Sequence, residues 1–348
     1  MPEERDNQIE RRDSGGISRR SETARRGSDA AGFVRGLANR RTESNLPGPT
    51  FSADHTYEFA LKWGTEGTRD GQFSELGGIE MAPDGKIYLS DKSNHRIQKF
   101  TSEGVFVSKW GTKGDSDGEF QFPQGMAVAP DGSVYVADLG NNRIQKFTSE
   151  GVFVTKWGAY GSGDGQFDLP LNVAVSSDGN VYVAEASQRG RNHRIQKFTS
   201  EGIFVQKWGT RGGNDGEFYW PTGLTVSSNG SVYVTGLVHH RIQKFTSEGG
   251  FVCSWGTWGT GDGEFKNPYS ASVASDGSVY VSDTGNNRIQ KFTADGVFVT
   301  KWGTPDAGYR ADRTVFDYRQ TDLAVGSDGS IYFADVATVG IQKFTPVS

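Results

Sequence analysis

Residues 131–158 read DGSVYVADLGNNRIQKFTSEGVFVTKWG, and their pattern decides the fold. Within them, 133–138 (SVYVAD) and 143–148 (RIQKFT) alternate apolar and polar residues with period two, the signature of half-buried strands. VFVTKWG at 152–158 does the same, and QGMAVA at 124–129 supplies a short apolar strand just upstream. Pro130-Asp131-Gly132, Gly140-Asn141-Asn142 and Ser149-Glu150-Gly151 punctuate the four runs with turn chemistry. Four short antiparallel strands in about 45 residues form one unit that cannot bury both of its faces alone.

The unit recurs. RIQKF stands at 96–100, 143–147, 194–198, 241–245 and 288–292, and GIQKF at 340–344. A second marker keeps the same phase: Trp63, Trp110, Trp157, Trp208, Trp255 and Trp302 each precede a glycine. Six copies of a four-stranded unit predict an all-β chain, a six-bladed β-propeller. The chain enters this pattern at YEFALKWG (57–64), which matches an outermost strand, and leaves after IQKFT (341–345), which matches a third strand. The phase therefore predicts that the ring is closed by the N-terminal strand 57–63, completing the last blade and leaving no open edge there.

Composition agrees and excludes other classes. The chain has 348 residues, 48 of them Gly, with only 34% hydrophobic residues, which suits turn-rich β structure rather than a helical bundle. The single cysteine, Cys253, rules out an internal disulfide framework and a cysteine-based zinc site. No apolar run approaches the length of a membrane helix, and the N-terminus lacks the apolar core of a secretory signal, so a cytoplasmic protein is expected. A net charge of −5 argues against obligate nucleic-acid binding. Residues 1–54, rich in Arg, Ser and Gly, are expected to be a disordered tail, with the propeller spanning 55–348. RRDS (11–14), RRGS (25–28) and RRTES (40–44) in that tail resemble basophilic kinase sites.

The segments DGSVYVADLGNNRIQKF (131–147) and DGSVYVSDTGNNRIQKF (276–292) closely resemble the repeat of the NHL family of six-bladed propellers, and the resemblance covers residues 57–348. It implies the propeller fold and leaves the function open, because members bind RNA or ligase substrates, act as sensor domains, or are zinc-dependent amidating lyases. No RING, B-box, coiled-coil or kinase segment accompanies the repeats, so ligase or kinase activity is not expected of this sequence. In the lyases the zinc histidines follow the proline that opens each inner strand. Those positions here hold Gln124, Leu171, Thr222 and Tyr269, none of them a zinc ligand of the usual kind.

Other motifs have structural readings. His95, His193 and His240 each precede the Arg that opens a third strand, where Asn142 and Asn287 stand in other blades; spread around a ring, they are turn residues rather than a metal set. The pairs Asp91 with Arg96, Asp138 with Arg143, Glu185 with Arg194 and Asp283 with Arg288 recur blade by blade, as connector staples would and a catalytic dyad would not. DGEF and GDGQF segments lack the alternating oxygen ligands of a calcium loop and are read as turns that aim a Phe between blades. No metal, cofactor or nucleophile is expected.

Function is sought where the copies diverge. The links into each inner strand and the connectors between second and third strands emerge on one face, and variable loops on a rigid scaffold carry recognition. The third connector, EASQRGRNHR (185–194), adds Gln188, Arg189, Arg191 and His193. The link at 304–321 adds Tyr309, Arg310, Arg313, Tyr318 and Arg319, and other links contribute Tyr160, Tyr219, Trp220, Trp258 and Tyr269. These residue types dominate binding hot spots and stack on exposed bases. The expectation is a monomeric, non-catalytic recognition or scaffold propeller that takes a protein or peptide through this face. The alternative is single-stranded RNA binding, and an enzyme with a pocket at the channel mouth stands third.

Overall fold

The structure, a computed structural model, describes residues 57–187, 192–303, 322–335 and 339–347. Gln188, Arg189, Arg191, Tyr309, Arg310, Arg313, Tyr318, Arg319 and the whole Arg/Ser-rich tail lie outside them. Six four-stranded antiparallel sheets form a ring, and among the described residues there is no α-helix. In the second blade the strands run Pro123–Val128, Val134–Asp138, Arg143–Phe147 and Phe153–Trp157, from the channel to the rim. The sixth blade comprises Asp322–Val325, Ile331–Asp335 and Gly340–Pro346, with Tyr57–Trp63 paired antiparallel on its outer edge so that Trp63 faces Ile341 and Tyr57 faces Pro346.

Six hydrophobic clusters lie between neighbouring blades, not within them. Between blades one and two, Tyr88 and Ile97 meet Phe120, Met126, Val134, Val136 and Phe147. Phe73, Phe120, Phe167, Phe218 and Phe265, the aromatic residues of the link turns, are all fully buried in these seams. Each contributes about 2–3 kcal/mol of apolar burial. Polar locks add to the packing: the hydroxyls of Tyr88, Tyr135, Tyr182 and Tyr233 each donate to a carbonyl in the next blade at 3.1–3.3 Å.

The two sequence markers interlock. Gly151, at the turn between third and outer strands, has φ +81°, and a Cβ there would lie 2.5 Å from the Trp110 ring of the preceding blade. The same glycine-on-indole contact recurs at Gly104, Gly202, Gly249 and Gly296. Every fully repeated outer strand also carries a one-residue bulge, for example opposite Lys146–Phe147, which twists an otherwise open sheet edge.

Candidate interaction face

On the face where links and connectors emerge, buried charge holds the loops. Asp138 Oδ1 accepts from the Gln121 amide at 2.7 Å, while Oδ2 accepts from Arg143 Nε at 2.7 Å, Asn141 Nδ2 at 2.8 Å and Gln145 Nε2 at 3.1 Å. The rest of the Arg143 fork donates to the carbonyls of Asp115, Ser116 and Glu119. The guanidinium thus clamps the link entering its own blade instead of reaching across to the next blade's core. Asp91, Glu185 and Asp283 organise the same constellation in blades one, three and five. Burial pushes the Asp138, Glu185 and Asp283 carboxyls upward, against the pull of their hydrogen bonds and arginines.

The histidines do similar work. His95 Nδ1 accepts from the Phe122 amide at 3.1 Å and His240 Nδ1 from Asn267 at 3.1 Å, where Asn142 Oδ1 accepts from Leu169 at 3.1 Å. His95, Asn142, His240 and Asn287 all sit at φ 50–56°, so the slot demands a residue that tolerates the left-handed region. His193 accepts from the Trp220 amide at 3.3 Å; burial, aided by Arg211, lowers its pKa to about 4. It is neutral at physiological pH.

Above these braces, one position per blade changes identity. Three residues after the marker tryptophan stand Glu66, Lys113, Tyr160, Arg211 and Trp258, each exposed. Backbone bridges to the buried Phe of the same link fix all five in one geometry. Tyr160 is 59% and Trp258 67% exposed. Lys266 Nζ lies 5.3 Å from the Trp258 ring centroid, and the Arg211 guanidinium 4.8 Å from that of Tyr219. His193 and His239 both stack on Tyr219, at 5.4 and 6.0 Å between centroids, and Trp220 packs edge-on to His193. Blades three and four therefore share a cationic–aromatic cluster that, among the described residues, the other seams lack in this form.

The channel mouth is closed on this face. Tyr269, the residue after the proline of blade five, is buried, and its hydroxyl accepts from Gln124 Nε2 of the diametrically opposite blade two at 3.2 Å. Tyr269 therefore plugs the channel and offers no surface to a partner. Below it lies a cavity of about 210 Å³ lined by the inner strands of all six blades. Asp322 on its wall ties three blades together, accepting from the Ile79 amide at 3.1 Å, from its neighbour Leu323 at 2.9 Å and from Ser270 Oγ. Burial raises its pKa to about 6. Glu80 shares the cavity wall; desolvation, reinforced by the Asp322 charge, raises it to about 8.

Against this geometry, comparison with known proteins is informative. The NHL repeat model matches residues 73–100, 120–147, 167–198, 218–245 and 265–292, each the core of one of the first five blades. The chain is an NHL-repeat propeller. No curated protein matches its sequence. Among solved structures the NHL propeller is similar to a streptogramin B lyase, at 18% identity and TM-score 0.55 over 84% of this chain and 98% of that one. It is also similar to a virginiamycin B lyase from Staphylococcus aureus (14%, TM-score 0.53, 85% and 99% covered) and to a gluconolactonase from Xanthomonas campestris (14%, TM-score 0.58, 80% and 88% covered). At such identities the likeness is one of fold.

The channel carboxyls of this NHL propeller carry a pH prediction. A carboxyl whose folded pKa lies above its unfolded value holds a proton that the unfolded chain has released, so stability falls as pH rises from about 4.5 towards 8. Glu80→Gln removes that penalty. It is expected to stabilise by roughly 2 kcal/mol at pH 8 and by almost nothing at pH 5, less than full linkage would give because the side chain retains some solvent contact. Thermal melts at the two pH values check this; a gain independent of pH would show that the Glu80 carboxyl titrates normally. Among the described residues no three His, Cys, Asp or Glu side chains gather as a metal set, and no helix is long and apolar enough to cross a membrane.

Proposed function

We propose that this NHL propeller is a recognition platform that binds a protein or peptide segment across the link face. One observation carries the reading: on an almost invariant scaffold, the exposed position three residues after each of the first five marker tryptophans is different every time, as Glu66, Lys113, Tyr160, Arg211 and Trp258. Symmetry-related positions that only cap a turn have no physical reason to differ. Five different side chains on one ring provide an addressable surface in which rigid aromatic anchors alternate with charges. The plug formed by Tyr269 and Gln124 favours a ligand lying on the face over one entering the channel from that side.

The exposed rings of Tyr160 and Trp258, with Lys266 over the Trp258 ring, favour a second reading, single-stranded RNA stacked on the same ring. One experiment separates the two. The purified chain is offered a displayed peptide library and a random RNA pool, each at two salt concentrations. A selected peptide is expected to lose about 30-fold in affinity with Tyr160→Ala/Trp258→Ala, at unchanged melting temperature. RNA binding that falls steeply with salt and disappears with Lys113→Glu/Arg211→Glu would support the second reading instead. Ligands indifferent to both variants would place recognition off this face.

A further inference from the structure

Blade four breaks the staple. Where blades one, two, three and five place Asp91, Asp138, Glu185 and Asp283, it places Gly236, five residues before Arg241 just as Asp138 stands five before Arg143. Three of the four donors that converge on the carboxylate elsewhere are retained; the fourth, the side-chain amide of Asn94, Asn141, Asn192 or Asn286, is replaced by His239. Arg241 Nε is buried and has no hydrogen-bond partner. Gln243 Nε2 keeps its bond to the Glu217 carbonyl at 2.8 Å, but the acceptor that Gln98, Gln145, Gln196 and Gln290 also reach is missing. The Tyr219 amide corresponds to the amides of Ser74, Gln121, Asp168 and Lys266, which donate to the carboxylate at 2.7–3.1 Å, and it has no partner among the described residues.

The backbone at Gly236 would accept a side chain. A Cβ built on Gly236 would meet nothing closer than the Arg241 carbonyl at 3.4 Å, and Gly236 has no positive φ. The guanidinium is also held less firmly: one Nη2 bond, to Glu217 O, is stretched to 3.5 Å, against 2.7–3.0 Å in the four complete blades. Its side chain is 16% exposed, where the stapled arginines are 5–8% exposed. The carboxylate within ion-pair distance, Asp215 at 3.8 Å, meets Nη1 on the solvent side and leaves Nε untouched. Arg211 adds positive charge to the same loop cluster.

We infer that blade four is a binding site for an external carboxylate, seated between Arg241 Nε, Gln243 Nε2 and the Tyr219 amide in the slot that the other blades fill from their own chain. The ligand is a free small carboxylate or the carboxylate side chain of an Asp or Glu on a peptide. Four internal copies of the occupied site give the expected geometry for these three donors. The inference goes beyond the recognition reading and does not need it, because formate alone tests it.

The test is thermal melting of the full chain in sodium formate against sodium chloride at matched ionic strength. Formate at about ten times its dissociation constant is expected to raise the melting temperature by roughly 3 °C. Gly236→Asp supplies the carboxylate in cis; it is expected to melt higher in chloride and to lose the formate response. Arg241→Met, which keeps the apolar stem, is expected to lose the response without gaining stability, so the inference remains testable if Gly236→Asp folds poorly. An equal formate effect in all three proteins, or none in the parent, overturns it. Acetyl-Gly-Glu-Gly-amide competing at least tenfold better than acetate would assign the slot to a peptide side chain, and equal competition would assign it to free carboxylates. Both results support the slot, and neither depends on the substitutions that test the recognition ring.

Discussion

Asp138→Ala is expected to lower the melting temperature by roughly 10 °C. The carboxylate is fully buried and accepts from four donors, one of them the Nε of a guanidinium that is itself almost buried. Removing one partner of a buried ion pair costs about 3–5 kcal/mol, because the remaining charge loses its counter-charge without regaining water. The amide of Gln121 and the side chains of Asn141 and Gln145 lose an acceptor in the same step, which places the effect in the upper half of that range. For a domain of this size each kcal/mol is worth about 2–4 °C. Asp138→Ala/Arg143→Met should recover much of the loss, since removing both charges leaves nothing unpaired. Calorimetric melts of the two variants decide it. A single variant within 2 °C of the parent would mean that the staple is ornamental.

The comparison with blade four gives this prediction its meaning. The ring folds there around Gly236 with an Arg241 fork that makes fewer bonds, one of them stretched to 3.5 Å. Two incomplete staples in six, with Gly236 for the acid in blade four and Gly340 for the arginine in blade six, are compatible with closure, because the inter-blade seams carry the apolar burial. The stability lost by Asp138→Ala is therefore a local cost at one link, and it should not change which blades pair.

The fold was legible in the sequence because everything that builds a blade is local. Strand alternation, turn glycines and the Trp and Phe markers each lie within one 45-residue unit, and repetition made every reading six times over. The link-turn phenylalanines were expected between blades and are buried there. The staples were legible as pairs, but their reach was not, since the fork contacts carbonyls 24–28 residues away on a loop with no fixed register to the strand. Tyr269 reads both as a partner-binding candidate and, next to Pro268, as a residue lining the central channel, and the structure bears out the second. Its contact with Gln124 joins opposite sides of the ring, 145 residues apart, and no local pattern encodes that distance. Two signals were available and missed. Glu80 is a charge inside GGIEMA at a position where the other inner strands carry Ala127, Ala174, Thr225, Ser272 and Ala324, and TGLVHHR lacks the acid that ADLGNNR has. Both are departures from the repeat, which carry site information precisely where the repeat itself carries only fold.

Gly151→Ala is expected to destabilise by about 3 kcal/mol, from two causes that an experiment can separate. The first is conformational: at φ +81° an L-residue costs about 1–2 kcal/mol. The second is steric, since the new Cβ would sit 2.5 Å from the Trp110 ring, which is itself packed between Tyr88 and Phe147 and cannot retreat freely. Trp110→Leu removes the ring and opens the seam, at a cost of its own in lost apolar burial. In the double variant the steric part disappears while the conformational part remains. A double-mutant cycle from urea unfolding should therefore give a coupling of about 1–2 kcal/mol between the two sites. Strict additivity would mean that the glycine is required by backbone conformation alone. Coupling of the expected size would mean that each Glu-Gly turn is shaped by the tryptophan of the blade before it, so that the two most regular markers in the sequence are halves of one inter-blade contact.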